Sequence, residues 1–171
     1  FPTKGLKTNI SYTIHTDLHT NTAYSSLATQ ITKIFPIALN TFIIPTIYGR
    51  FIFNDGIPFM YSNVIGGEGY NPHYEQQIPF SGLPHTESTL KLLGNARIQI
   101  RHKFHGKQYL TLSGNYAIHQ NQFSNFLQGK KIYGTSIGYG YDSPLGPIEG
   151  FICYSNRTNK LGFYLNIGFG F

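Results

Sequence analysis

Charged residues are scarce in this chain of 171 residues. Asp, Glu, Lys and Arg together make up 12% of it, against about 25% in an average globular protein. Aromatic residues reach 16%, with 13 Tyr, 14 Phe and no Trp. Few charges together with many aromatics are typical of a protein that is surrounded partly by lipid. The length suits one domain, which we expect to span residues 1–171.

Long apolar runs are also missing. No stretch approaches the roughly 20 continuous apolar residues that a membrane helix needs, which excludes a helical membrane protein. The chain opens on Phe1 without a basic and apolar leader, so we expect a cleaved signal peptide or further sequence upstream. The formal charge of +6 is scattered rather than clustered, and we therefore expect no nucleic-acid partner.

The residues that bind metals form no convincing group. Cys153 is the one cysteine, which excludes an internal disulfide and a cysteine-based zinc site. His15 and His19 lie at the end of a predicted strand, while His102 and His105 flank a turn without a nearby carboxylate. We expect neither a metal nor another cofactor.

The last segment alternates strictly between apolar residues and small or polar ones. Its apolar positions are Leu161, Phe163, Leu165, Ile167, Phe169 and Phe171. Eleven residues with period two predict a strand with one apolar face, about as long as a tilted transmembrane strand. An alternating aromatic strand that ends on Phe resembles the C-terminal sorting signal read by the bacterial barrel-assembly machinery, which is thus an expected partner.

Similar alternation predicts eight strands and no amphipathic helix. The segments are 6–15, 25–39, 42–53, 91–101, 110–119, 131–141, 147–155 and 161–171. Short connections at 36–40, 104–108 and 142–147 alternate with the connections 16–26, 54–89, 120–130 and 156–160, most of which are longer.

This order is typical of outer-membrane barrels, which have tight periplasmic turns and larger external loops. It predicts an all-β, transmembrane antiparallel β-barrel with both chain ends periplasmic and one long external loop at about 54–89. A soluble β-sandwich is the alternative, but the polar faces carry Gly, Ser, Asn and Thr rather than charge.

Ser136 lies in a match to G-x-S-x-G, the nucleophile elbow of serine hydrolases. That elbow needs a strand, a sharp turn and a following helix. Here the alternation continues through Gly138 and Gly140 into a turn. We therefore interpret Gly134, Ser136, Gly138 and Gly140 as a small-residue face inside the barrel, against which a loop can pack, and expect no catalytic residue in this chain.

Arg97 and Arg101 lie on the polar face of a predicted strand and therefore point into the barrel lumen. Buried charges need partners. Glu68 or Glu75 of the long loop are the candidate partners, and solvation of both cations by lumen water is the alternative.

Three phrases resemble the bacterial surface antigen superfamily. They are FPTKG at 1–5, PFMYSNVIGGEGY at 58–70 and the last three strands at 139–171. The resemblance implies that these eight strands are the second half of a sixteen-stranded barrel. Insertases of that superfamily carry an Arg-Gly-Phe or Arg-Gly-Tyr tripeptide in the long loop. This chain has Gly67, Glu68, Gly69 and Tyr70 there instead, which argues against insertase or transporter function. We expect Glu68 and Tyr70 to be among the lumen and long-loop contacts.

The next phrase, HYEQQIPFSGLPHTE at 73–87, is similar to barrels attached to patatin-like phospholipases of Bacteroidetes-type bacteria. This implies an outer-membrane barrel that anchors an upstream hydrolase domain, which would carry the Ser–Asp dyad. An outer-membrane insertase or polypeptide-translocation pore is one alternative, and a free-standing eight-stranded barrel is another. The expected partners are outer-membrane lipid and a homodimer or larger membrane complex.

Overall fold

The computed structural model describes residues 4–17, 22–68, 76–144 and 146–168. One antiparallel sheet of eight strands dominates it. Its strands, in spatial order, are β1 (Gly5–Asp17), β2 (Thr22–Ala38), β3 (Thr41–Ile52), β7 (Leu92–His105), β8 (Gln108–Gln120), β9 (Lys130–Ser143), β10 (Gly146–Ser155) and β11 (Leu161–Ile167). The predicted all-β fold and the eight predicted strands are confirmed, and all eight strands lie in this one sheet.

The two faces of this sheet have opposite chemistry. On β9, Ile137, Tyr139 and Tyr141 are exposed, whereas the alternate residues Gly134 and Ser136 are buried. We call the first the outer face and the second the inner face. A water-soluble antiparallel sheet buries its apolar side. Here the apolar side is the exposed one, as a strand wall in lipid requires.

The connections differ in length as the sequence predicts, with one correction. Asn40 and Gly106 adopt positive φ angles of 62° and 52° in the two-residue turns after β2 and β7. The connection predicted at 16–26 is mostly strand, because the β1–β2 ladder continues to the pair Asp17 and Thr22. The connections that remain long are 53–91, 121–129 and 156–160.

The connection 53–91, which we call the long loop, has structure of its own that the sequence does not reveal. It contains a 3-10 turn at Phe59–Tyr61 and a small sheet of β4 (Asn63–Ile65), β5 (Gln77–Ile78) and β6 (Glu87–Thr89). The long loop packs on the inner face. Ile65, Ile78, Phe80 and Leu83 of the loop form one buried cluster with Tyr48, Leu93, Ala117 and Ile132 of the wall.

β1 and β11 are the edges of the large sheet, and no pairing among the described residues joins them. The helical segments in the described part of the chain are 3-10 turns at Phe59–Tyr61 and Phe123–Gln128. No helix there is long and apolar enough to cross a membrane.

Candidate functional site

The long loop is seated on the small-residue face of β9. A Cβ atom added to Gly134 would lie 2.1 Å from the carbonyl oxygen of Ser81. Glycine is therefore required at this position for the loop backbone to reach the wall.

Polar contacts fix Ser81 at the same place. Its hydroxyl donates to the Ser136 hydroxyl at 3.2 Å and accepts from the Asn115 side-chain amide at 2.7 Å. Ser136 is buried in the middle of β9. Its hydroxyl faces another hydroxyl, which cannot act as the general base that a serine nucleophile needs. Ser136 is therefore a contact for the loop.

Gly138 and Gly140, the other two glycines of the small-residue face, lie against side chains of β10. A Cβ atom at Gly138 would lie 2.2 Å from the Phe151 ring, and one at Gly140 would lie 3.3 Å from the Glu149 side chain. Both Phe151 and Glu149 belong to β10 and are buried. These two glycines make room for the neighbouring strand's inward side chains.

Glu68 of the long loop forms an ion pair with Arg97 of β7. The Arg97 guanidinium donates to the Glu68 carboxylate at 2.6 Å, and the exposed fractions of the two side chains are 10% and 0%. The Asn166 amide of β11 also donates to the Glu68 backbone carbonyl at 3.0 Å. The segment around Glu68 thus contacts both β7 and β11, which are separated in the sheet by β8, β9 and β10.

Arg101 pairs with a carboxylate of the wall. Its guanidinium lies 3.5 Å from Glu149 of β10 and donates through Nε to the Thr111 hydroxyl of β8 at 3.2 Å. Both arginines are buried, at 8% and 7% exposure. Glu75 and Tyr70, the other expected loop contacts, lie outside the described residues.

Arg50 is a further anchor of the long loop that the sequence analysis did not single out. From the inner face of β3 it donates to the Asn63 side chain at 3.0 Å and to the Ser26 hydroxyl at 3.2 Å. Asn63 in turn donates to the backbone carbonyls of Leu90 and Lys91. Arg50 lies on the polar face of a predicted strand, as Arg97 does. The argument that a charge pointing into the lumen needs a partner therefore applies to Arg50 as well.

Aromatic stacking holds the start of the long loop on the other side of the lumen. The Tyr61 ring stacks on His15 of β1 at 4.5 Å between ring centroids and on Tyr24 of β2 at 5.7 Å. Because His15 and Tyr24 point inward, the 3-10 turn at Phe59–Tyr61 lies on the inner side of the sheet.

β11 and the connection 156–160 before it hold the end of the long loop. The Tyr164 hydroxyl donates to the Leu83 carbonyl, and the Thr158 hydroxyl donates to the Gly82 carbonyl at 3.1 Å. A Cβ atom on Gly82 would lie 2.3 Å from the Tyr154 backbone. The residues of the proposed sorting signal, Phe163, Leu165 and Ile167, are exposed on the outer face, while Phe169 and Phe171 lie outside the described residues.

The long loop does not fill the inner side evenly. A polar cavity of about 320 Å³ remains between it and the inner faces of β1 to β3. Asn9, Ser11, Thr13, Gln30 and Gln77 are among its lining residues. Among the described residues, no group of three or more His, Cys, Asp or Glu side chains could hold a metal ion.

An apolar outer face, a polar inner face and an inward-folded loop define the wall of an outer-membrane β-barrel. The chain belongs to the OMP85 superfamily, whose family model matches residues 1–171. This membership confirms the resemblance to the surface antigen superfamily and the location in the outer membrane. No curated protein sequence matches the chain significantly.

Proposed function

We propose that this chain is the membrane-anchoring barrel of a larger protein, closed by its own long loop, and that it displays an upstream patatin-like phospholipase domain. The observation that carries the proposal is the buried Glu68–Arg97 ion pair. It fixes the loop across the inner face, so the chain acts as an anchor rather than as an open passage.

The loop's attachments support a permanently closed state. Arg50, Arg97 and Ser136 hold it at three places along the wall through polar contacts in buried surroundings. Removing one partner of a buried ion pair costs about 3–5 kcal/mol, because the other charge is left uncompensated. Spontaneous release of the loop would break several such contacts together.

The open sheet supports a barrel of sixteen strands in which these eight form the second half. Edge strands such as β1 and β11 would leave unpaired backbone groups in lipid, which is costly. An upstream set of strands would pair with both edges. With an even number of strands the chain enters and leaves on the side of the short turns, which we propose to be periplasmic.

The hydrolase assignment rests on the resemblance of residues 73–87. The hydrogen bond between Ser81 and Ser136 argues only that Ser136 is not the nucleophile. If the full-length protein hydrolyses phospholipid, the nucleophile lies in another part of it. The test is phospholipid hydrolysis by the full-length protein in outer-membrane vesicles, for the parent and for Ser136→Ala. We expect activity in both. An inactive parent, or an activity that Ser136→Ala removes, contradicts the proposal.

A polypeptide-translocation pore is the second candidate, and the polar cavity along β1 to β3 favours it. It requires that the long loop leave the lumen during transport. A disulfide or chemical crosslink that fixes the loop to β7 would then stop export, whereas it would leave an anchoring barrel unaffected.

A further inference from the structure

The connection between β8 and β9, residues 121–129, folds back over the outer face of the barrel. Its 3-10 turns place the Phe126 ring so close to Gly94 of β7 that an added Cβ atom would lie 3.0 Å from it. Gly94 alternates with the inward residues Leu93 and Asn95 and therefore lies on the outer face. Phe126 thus fills a notch in the lipid-facing wall.

A second outward residue extends this contact. Phe51 of β3 lies 5.5 Å from Phe123 and 6.3 Å from Phe126 between ring centroids. Leu92, which is opposite Phe51 in the register, is only 1% exposed although it shares the outer face with Gly94. The connection therefore covers a patch of wall that would otherwise be exposed.

The depth of this patch follows from the register. Tyr133 and Tyr141 mark the two ends of an exposed aromatic and aliphatic stripe on β9. The roughly eight steps of about 3.3 Å from Tyr133 to Tyr141 span about 26 Å along the strand. With a tilt of about 40° this projects to about 20 Å along the membrane normal, which is about 5 Å less than the roughly 25 Å apolar band of an outer-membrane barrel. The boundary of the band therefore lies near the row just beyond Tyr133.

That row contains Lys131, Ile118 and Gly94, which are neighbours on three adjacent strands. Lys131 is exposed and points outward, as expected for a lysine whose amine reaches the lipid headgroups. Phe126 sits on the same row. Phe123 and Leu127 of the same connection remain 60% and 76% exposed.

We propose that residues 121–129 form a membrane-surface element, in which Phe123 and Leu127 insert among the lipid headgroups beside the barrel. The occupant is the bilayer itself, because the patch continues the lipid-facing wall at headgroup depth. Aromatic and large aliphatic side chains are favoured there. The element would set the height of this part of the wall in the membrane.

The test compares two positions in the full-length protein, purified from outer membranes into vesicles of phosphatidylethanolamine and phosphatidylglycerol. A polarity-sensitive fluorophore is attached at Leu127→Cys or, as a matched control, at Phe59→Cys on the other 3-10 turn. Cys153 is buried, and unsubstituted protein gives the background. Quenching is measured with aqueous iodide and with lipids that carry a nitroxide near the headgroup.

We expect the label at position 127 to be quenched by the nitroxide lipids and to be several-fold less accessible to iodide than the label at 59. Equal iodide access at both positions would overturn the proposal. Protection from both quenchers would also overturn it, since a second protein copy would then cover the patch.

A second pair of variants tests whether the packing of Phe126 against Gly94 holds the connection in place. Gly94→Leu in the Leu127→Cys background should displace Phe126 and reduce quenching by the nitroxide lipids. Gly114→Leu is the control, because Gly114 also lies on the outer face and a Cβ atom there meets nothing within 4 Å. Equal lipid quenching in the two variants would contradict the role of the notch.

Discussion

The Glu68 carboxylate of the long loop and the Arg97 guanidinium of β7 lie 2.6 Å apart, with both side chains almost completely removed from solvent. The two residues are 29 positions apart in the chain. Their contact crosses from the loop to the wall inside the lumen. A single substitution of either residue therefore removes one of the loop's buried attachments to the wall.

Arg97→Ala should release the long loop. The variant leaves the Glu68 carboxylate buried without its cation, at a cost of about 3–5 kcal/mol. Cleavage in vesicles should be followed with chymotrypsin, because no Lys or Arg occurs between Arg50 and Lys91. We expect faster cleavage after the aromatic residues of the loop.

Asp55→Asn is the matched control for that experiment. It removes the carboxylate of the Lys91–Asp55 pair, in which the Asp55 side chain is 92% exposed, and exposed pairs contribute little. Its cleavage rate should equal the parent's. A loop that is equally resistant in Arg97→Ala and in the parent would show that the ion pair does not hold it.

Gly134→Ala should also displace the loop, for a steric reason. The new methyl group would lie 2.1 Å from the Ser81 carbonyl oxygen, which is a backbone atom and cannot rotate away. Overpacking of this kind costs about 1–3 kcal/mol. Chymotrypsin cleavage and the temperature of the heat-induced mobility shift in gels measure the effect.

Gly114→Ala is the control at an open site of the same sheet. It should leave both the cleavage rate and the transition temperature unchanged. Identical behaviour of Gly134→Ala and Gly114→Ala would mean that the loop is not seated on β9.

Cys153 offers a native reporter of loop release. Its thiol is 2% exposed on the inner face of β10, next to Tyr154, whose backbone is covered by Gly82 of the loop. A membrane-impermeant maleimide should leave the parent unlabelled and should label Arg97→Ala. Protein unfolded in urea defines complete labelling. A thiol that reacts readily in the parent would contradict a seated loop.

The strand wall was predictable because one chemical rule acts on each strand separately. Apolar residues face lipid and polar or small ones face the lumen, so alternation alone locates β7 to β11. The inner structure of the long loop was not predictable in this way. Strands of two or three residues, such as Gln77–Ile78, are too short to show a period.

The partners of the two arginines show a second limit. Alternation puts Arg97 and Arg101 on the inner face of their strand, and both are buried there, but their partners depend on the register of several strands. Arg101 reaches Glu149 across β8 and β9. No local sequence pattern gives the combined offset of three strand pairs, so Glu149 could not be recognised as a partner of Arg101 from the sequence.

Conductance of the full-length protein in planar bilayers tests the closed lumen most directly. It should be compared between the parent and Glu68→Lys, which places a second cation beside Arg97 and expels the loop by like-charge repulsion. We predict that the parent shows no stable channels and that Glu68→Lys conducts ions. Stable conductance in the parent, unchanged in Glu68→Lys, would contradict a lumen closed by the long loop.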